Sequence, residues 1–123
     1  MTKPVLVVDD EPDLAATYER LLRRQGYRVL SVGSRAAALR ALETEPLRLV
    51  IADLKLTDGD GLDVVRAARA LPSPVPAVVV TGFPSGPARR AALQAGAVGF
   101  LAKPFTAERL SGLVREALGE LPC

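Results

Sequence analysis

Four short apolar runs constrain this chain more than any other feature: Val5-Leu6-Val7-Val8, Leu49-Val50-Ile51-Ala52, Ala77-Val78-Val79-Val80 and Val98-Gly99-Phe100-Leu101-Ala102. They are continuous rather than alternating and mostly rich in β-branched residues. That is the pattern of strands buried on both faces, as in a parallel sheet covered by helices. A fifth run, Tyr27 to Val32, is interrupted by Arg28 and Ser31 and reads as an edge strand. Helical spacing fills the gaps. Residues 12–25 carry Leu14, Tyr18, Leu21 and Leu22, with Pro12 at a plausible first position and Gly26 as the stop. Residues 35–44, 61–71 and 87–95 carry shorter stripes, the third of them built from alanine. Residues 107–119 show Leu110, Leu113, Val114, Ala117 and Leu118, followed by Leu121, with Thr106 as a candidate N-cap. The order is βαβαβαβαβα, with strand starts near 5, 27, 48, 77 and 98. Such alternation implies right-handed crossovers and a doubly wound parallel sheet.

At 123 residues, one domain over 1–123 is expected, with 119–123 a short tail. A chain of this size buries about two-thirds of the surface it exposes when unfolded, enough for an unaided core. Composition removes much of enzymology. There is no histidine, no tryptophan and one cysteine, Cys123, which reads as part of the terminus rather than a site. Imidazole-based triads, imidazole metal sites, zinc clusters and internal disulfides are excluded. The net charge of +2 is too small to argue for nucleic-acid binding. No run approaches a membrane span or a secretory core, so a soluble, cytoplasmic protein is the expectation.

The remaining chemistry gathers at strand ends. The first strand runs into Asp9-Asp10, the third into Asp53, the fourth into Thr81 and the fifth into Lys103, one of only three lysines. In open α/β sheets, ligands bind outside the carboxyl ends of the strands, near the switch in strand order. Two carboxylates about 4 Å apart repel by about 4 kcal/mol at an effective dielectric of about 20. Such a cluster calls for a cation, and an oxygen-only donor set favours a hard ion such as Mg²⁺. With an amine and a hydroxyl beside it, the site suits a phosphoryl group, with Asp53 as the nucleophile that carries it.

The sequence resembles the response-regulator receiver domains of bacterial two-component signalling over essentially its whole length. VLVVDDEPD resembles the family's first strand and acidic pair, and LVIADLKLTDGDGL its phosphoacceptor segment. AVVVTG resembles the hydroxyl-bearing fourth strand and GFLAKPF the lysine-proline of the fifth. The resemblance implies a flavodoxin-like five-stranded parallel sheet in the order 2-1-3-4-5 with five helices, an arrangement for which a chemotaxis receiver is a known example. It implies that Asp53 takes a phosphoryl group from the phosphohistidine of a sensor histidine kinase or phosphotransfer protein. It further implies that Asp10, Asp53 and the main-chain carbonyl of Lys55 bind Mg²⁺ directly, with Asp9 acting largely through water. Thr81 would engage the phosphoryl group, Lys103 would pair with it, and Phe100 would match the family's aromatic switch position. A cis Lys103-Pro104 bond is implied as well. The partner or output domain would dock on the face of the fourth helix, fifth strand and fifth helix, and a phosphorylation-dependent homodimer is left open. Direct nucleic-acid binding and membrane contact are not expected of this domain.

The chain departs from the family's pattern in places. Thr57 stands where the family most often has proline. Phe100 lacks the hydroxyl that would lock an inward swing. Gly82-Phe83-Pro84-Ser85-Gly86-Pro87 mixes stiffening and loosening residues, and Lys55 and Phe83 flank the acceptor and the hydroxyl.

Plainer readings compete. Asp9 and Asp10 could cap the helix that starts at Pro12, Thr81 could be an ordinary strand threonine, and Phe100 plain core. Arg89 and Arg90 read as a solvated helix face or part of the docking face, and Asp58, Asp60 and Gly61 as turn chemistry and a helix start. The expected function is a phosphorylation-dependent switch, a phosphoprotein of a phosphorelay that catalyses only its own phosphotransfer and dephosphorylation and is not a turnover enzyme. The alternatives are a haloacid-dehalogenase-type hydrolase, whose nucleophile would follow the first strand in an Asp-x-Asp pattern that Asp9-Asp10-Glu11 matches poorly, and a binding module that works without phosphorylation.

Overall fold

The β-branched runs become strands because their branched side chains pack well on a pleated surface covered on both sides. In the computed structural model, which describes residues 3–119, they are β1 (Val5–Val8), β2 (Val29–Val32), β3 (Leu49–Asp53), β4 (Ala77–Thr81) and β5 (Gly99–Ala102). The helices between and after them are α1 (Pro12–Arg24), α2 (Arg35–Thr44), α3 (Gly61–Arg69), α4 (Gly86–Ala95) and α5 (Ala107–Ala117). All five strands pair in parallel, in the order β2-β1-β3-β4-β5. This is the parallel sheet expected from the alternation, in the order that the family resemblance implies. A two-residue ladder, Lys55–Leu56 against Gly59–Asp60, lies in the loop between β3 and α3.

The period of two along each strand divides the core. Leu6, Val8, Val50, Ala52 and Val79 face one layer, where Ala38 and Leu42 of α2, Val64, Val65 and Ala68 of α3 and Ala92 of α4 meet them. Val5, Val7, Leu49, Ile51, Val78 and Val80 face the other, against Tyr18 and Leu22 of α1 and Leu110 and Val114 of α5. Burying each such aliphatic side chain stabilises by about 1.5–3 kcal/mol, so two full layers anchor the strand ends firmly.

The helix ends follow local chemistry. Ser34, Asp60, Ser85 and Thr106 each N-cap a helix through a side-chain oxygen. Gly26 and Gly96 take left-handed φ values of 91° and 108° where α1 and α4 stop. The half-buried β2 is the expected edge strand, but it starts at Val29 rather than Tyr27. Val98 lies outside β5 and is 53% exposed. Half of the proline- and glycine-rich stretch 82–87 proves to be helix start: Ser85 caps α4, and Gly86 and Pro87 form its first turn. Among the described residues, no helix is long and apolar enough to cross a membrane. Leu121 and Cys123 lie outside the described residues.

Candidate functional site

Asp9, Asp53 and Thr81 are the buried polar or charged residues of the described chain, at 2%, 7% and 1% exposure. All three sit at the carboxyl ends of central strands. Burial of this kind is costly without partners. Asp9 follows β1, the last residue of β3 is Asp53, and that of β4 is Thr81. Adjacent parallel strands in register therefore bring residues far apart in sequence to one point.

Lys103 supplies the compensating charge. Its amine donates to Asp53 Oδ2 at 2.8 Å and to Asp9 Oδ2 at 3.3 Å, and lies 3.8 Å from Glu11 Oε1. Its backbone is tied to β4, Lys103 N–H donating to the Thr81 carbonyl at 2.8 Å, and the Lys103-Pro104 bond is cis, as the resemblance implied. Carboxylate oxygens of Asp9, Asp10, Glu11 and Asp53 all lie within 4.8 Å of one another. One amine does not balance four carboxylates. The donor set is all oxygen and the residual charge negative, which fits a hard divalent cation and no softer metal.

The charge excess is felt in the titration of the neighbours. Burial holds the Asp9 carboxyl above its ordinary range, with Asp53 pushing the same way, against the Glu11 N–H and Lys103, which pull it down. Burial alone would lower the Lys103 amine, but the hydrogen bond and charge of Asp53, with Asp9, outweigh it and raise the amine. The Tyr18 hydroxyl, buried without a hydrogen-bond partner, is pushed far up by burial and by the charges of Asp9, Asp53 and Glu11.

A cavity of about 120 Å³ opens on this cluster, lined among others by Asp10, Asp53, Thr81, Lys103, Lys55 and Phe83. Thr81 Oγ1 accepts from Phe83 N–H at 3.0 Å, and Lys55 N–H donates to Asp53 Oδ1 at 3.3 Å. Above them the Lys55 amine lies 4.6 Å from the centroid of the Phe83 ring, which is 72% exposed.

The structure thus brings together Asp9, Asp10, Asp53, Lys55, Thr81 and Lys103. It does not place Phe100 with them. That side chain is half-buried against the α2–α3–α4 core layer and lines a groove of about 480 Å³ between α4, β5 and α5, together with Arg89. Capping does not explain the acidic pair: the N-cap of α1 is Glu11, which makes no side-chain cap, and the Asp9 carboxylate accepts from Glu11 N–H at 2.8 Å.

Three site residues escaped sequence reasoning. Glu11 joins the acidic cluster. Gly61 is more than a helix start: a Cβ there would collide with the Asp53 carbonyl oxygen, and its N–H donates to Leu54 O at 2.8 Å. The signal was a glycine placed eight residues after the acceptor, where α3 must begin against it. Asp58 accepts from the first amides of α2, a partnership no local pattern reveals.

Residues 5–115 match the family model for the response regulator receiver domain. The chain is similar to the transcriptional regulatory protein PrrA of Mycobacterium leprae, 42% identical over 93% of this chain and 49% of the relative. It spans between a quarter and about half of the length of curated relatives it matches. Its fold matches a CheY-like response regulator receiver domain protein from Methanospirillum hungatei at a TM-score of 0.91 and 28% identity, covering 98% of this chain and 96% of that one. It also matches a response regulator from Burkholderia pseudomallei, solved with a phosphorylated aspartic acid, a calcium ion and citrate, at a TM-score of 0.86 and 29% identity, covering 97% and 70%.

Proposed function

The chain belongs to the response regulator receiver family, and from that premise we propose that Asp53 is its phosphoacceptor, charged in a Mg²⁺-dependent reaction. The observation that carries the assignment is the buried, Lys103-paired carboxylate at the end of β3, opening on a cavity lined with acid, hydroxyl and amine. The Burkholderia response regulator, solved with a phosphorylated aspartic acid and a calcium ion, supports it.

In the transfer, a carboxylate oxygen of Asp53 attacks phosphorus. The P–O bond forms as the P–N bond to the donor imidazole breaks, and the imidazole keeps the electron pair and takes up a proton. Lys103, already 2.8 Å from Asp53, stays within reach of the new phosphoryl oxygens. Thr81, whose Oγ1 now only accepts from Phe83 N–H, has a proton to donate to the same oxygens. Asp10, Asp53 and the main-chain carbonyl of Lys55 would hold Mg²⁺, with Asp9 acting largely through water. When bound, that ion supplies charge neutralisation for the transferring phosphoryl oxygens. Water attack on phosphorus reverses the label, releasing inorganic phosphate and restoring the carboxylate. One label per donor makes the domain a switch rather than a turnover enzyme.

The donor is the phosphohistidine of a sensor kinase or phosphotransfer protein, which fits a chain with no histidine of its own. The output is read on the α4–β5–α5 face, where Leu93 and Val98 are 49% and 53% exposed around the groove that Phe100 lines. Driving such a switch from 1:99 to 99:1 takes about 5.5 kcal/mol of differential stabilisation. The assignment predicts that acetyl phosphate with Mg²⁺ labels the wild-type chain and leaves Asp53→Asn unlabelled with its circular dichroism unchanged. Undiminished labelling of that variant would sink it.

A further inference from the structure

The acceptor loop has a restraint at its far end that the phosphotransfer chemistry does not call for. Residues 54–60 connect Asp53 to α3 and carry Lys55. Proline is absent there, and Thr57, Asp58 and Gly59 at its tip are all exposed. The ladder of Lys55–Leu56 with Gly59–Asp60 and the buried Leu56 hold the base of this loop, and its exposed tip is fixed only by what it meets outside. Asp58 reaches across to the start of α2. Its Oδ1 accepts from Arg35 N–H at 2.7 Å and its Oδ2 from Ala36 N–H at 3.0 Å. These are two of the helix-start amides that α2 leaves unpaired. Ser34 takes the next, Ala37 N–H, at 3.1 Å. The first turn of α2 holds no acidic residue, so Asp58 is the anion that the helix start lacks. Arg35 adds a second tie, its Nε donating to Asp63 Oδ2 of α3 at 2.9 Å, and Gly59 leaves room for it: a Cβ there would collide with the Arg35 side chain.

We infer that Asp58 is a positioning residue for the metal-binding loop, pinning residues 54–60 to the N-terminus of α2 so that Lys55 is held beside Asp53 in the form that accepts a divalent cation. The inference rests on the reading of Asp10, Asp53 and the Lys55 carbonyl as the Mg²⁺ site. A protein whose binding-competent state is fractionally populated binds its ligand more weakly by that fraction. Releasing the loop therefore weakens Mg²⁺ binding without touching a ligand.

The test is a Mg²⁺ titration followed by amide NMR on wild type, Asp58→Ala, Asp58→Asn and Ser34→Ala. Ser34→Ala is the matched control, because it uncaps the same helix from its own chain and leaves the loop alone. Asp58→Ala is expected to raise the Mg²⁺ Kd at least about threefold, as for a loop competent about a third of the time. Asp58→Asn, which keeps one accepting oxygen, should recover part of that loss, and Ser34→Ala should leave the Kd at the wild-type value. Hydrogen exchange at the Arg35 and Ala36 amides should speed up in Asp58→Ala. Unchanged Mg²⁺ affinity in Asp58→Ala, or an equal loss in Ser34→Ala, would overturn the inference while the metal site stood. A wild-type chain that binds no Mg²⁺ at the acidic cluster would overturn both.

Discussion

The buried cluster of Asp9, Asp53 and Lys103 and the exposed bridge from Asp58 to α2 use the same kinds of groups to opposite ends. Asp58 stands in water and faces backbone amides. The Ala36 and Arg35 N–H groups hold its carboxyl below the usual range. Asp9 is stripped of water and faces another carboxylate, and burial holds it above that range. A carboxylate whose charge is met by fixed donors is committed to structure. A carboxylate held in excess of its counter-charge is available to a ligand. Within one sheet edge, solvation and donor count separate the two roles.

The largest test of this contrast removes Lys103, the cation paired with the buried carboxylates. Without divalent ions, Lys103→Met is expected to lose about 3 kcal/mol of stability, the usual cost of orphaning a buried ion-pair partner. Added Mg²⁺ should restore part of it, and urea unfolding with and without Mg²⁺ reads both. A loss indifferent to Mg²⁺ would mean that the carboxylates are not in excess.

Next in size is the same exchange made in both clusters. Asp9→Asn should stabilise the metal-free protein, since burial disfavours the charged form of Asp9. Asp58→Asn should destabilise it. Equal signs in urea unfolding would erase the distinction.

The pH dependence separates the clusters further. Above the ordinary carboxyl value of 3.8, folded Asp9 keeps a proton that the unfolded chain has lost. Its contribution to stability is therefore present at low pH and lost as pH rises through its raised value. Asp58 does the reverse: its contribution is present above 3.8 and lost as pH falls through its lowered value. Unfolding followed without metal on both sides of pH 3.8 should show Asp9→Asn removing a decline with rising pH above that value and Asp58→Asn removing a loss with falling pH below it.

The smallest effect belongs to the mouth of the cavity. An exposed cation–π contact is worth about 0.5–1 kcal/mol, so Lys55→Met or Phe83→Ala should change the lifetime of the phosphorylated form by no more than about 5-fold. If the two side chains act as one clasp, the double variant should match either single one in a phosphate-release assay.

Strand positions, helix order and the central site were legible because they depend on local pattern, whereas the sheet order followed from the family resemblance. A continuous apolar run declares a buried strand, and a polar residue at its end declares the site edge. Thr106 as a cap and Gly26 as a stop were legible for the same reason. What escaped depended on contacts across the chain. Asp58 read as turn chemistry because its α2 amides lie 22 and 23 residues away. Gly61 read as a helix start because only the fold shows the Asp53 carbonyl against it. Phe100, three residues before Lys103 and paired with Val79, lines the α4–β5–α5 groove, the face that the resemblance implied for docking. Glu11 joined the cluster only once α1 began beside Lys103.

The central claim, that the buried carboxylate ending β3 is the one that carries a phosphoryl group, is tested most directly by trapping the bond. Wild-type protein labelled with acetyl phosphate and Mg²⁺ is reduced with borohydride, which converts an aspartyl phosphate to homoserine, and the chain is mapped by mass spectrometry. The account predicts homoserine at position 53 and at no other aspartate. Conversion at Asp9 or Asp10, or none while the chain is labelled, would contradict it.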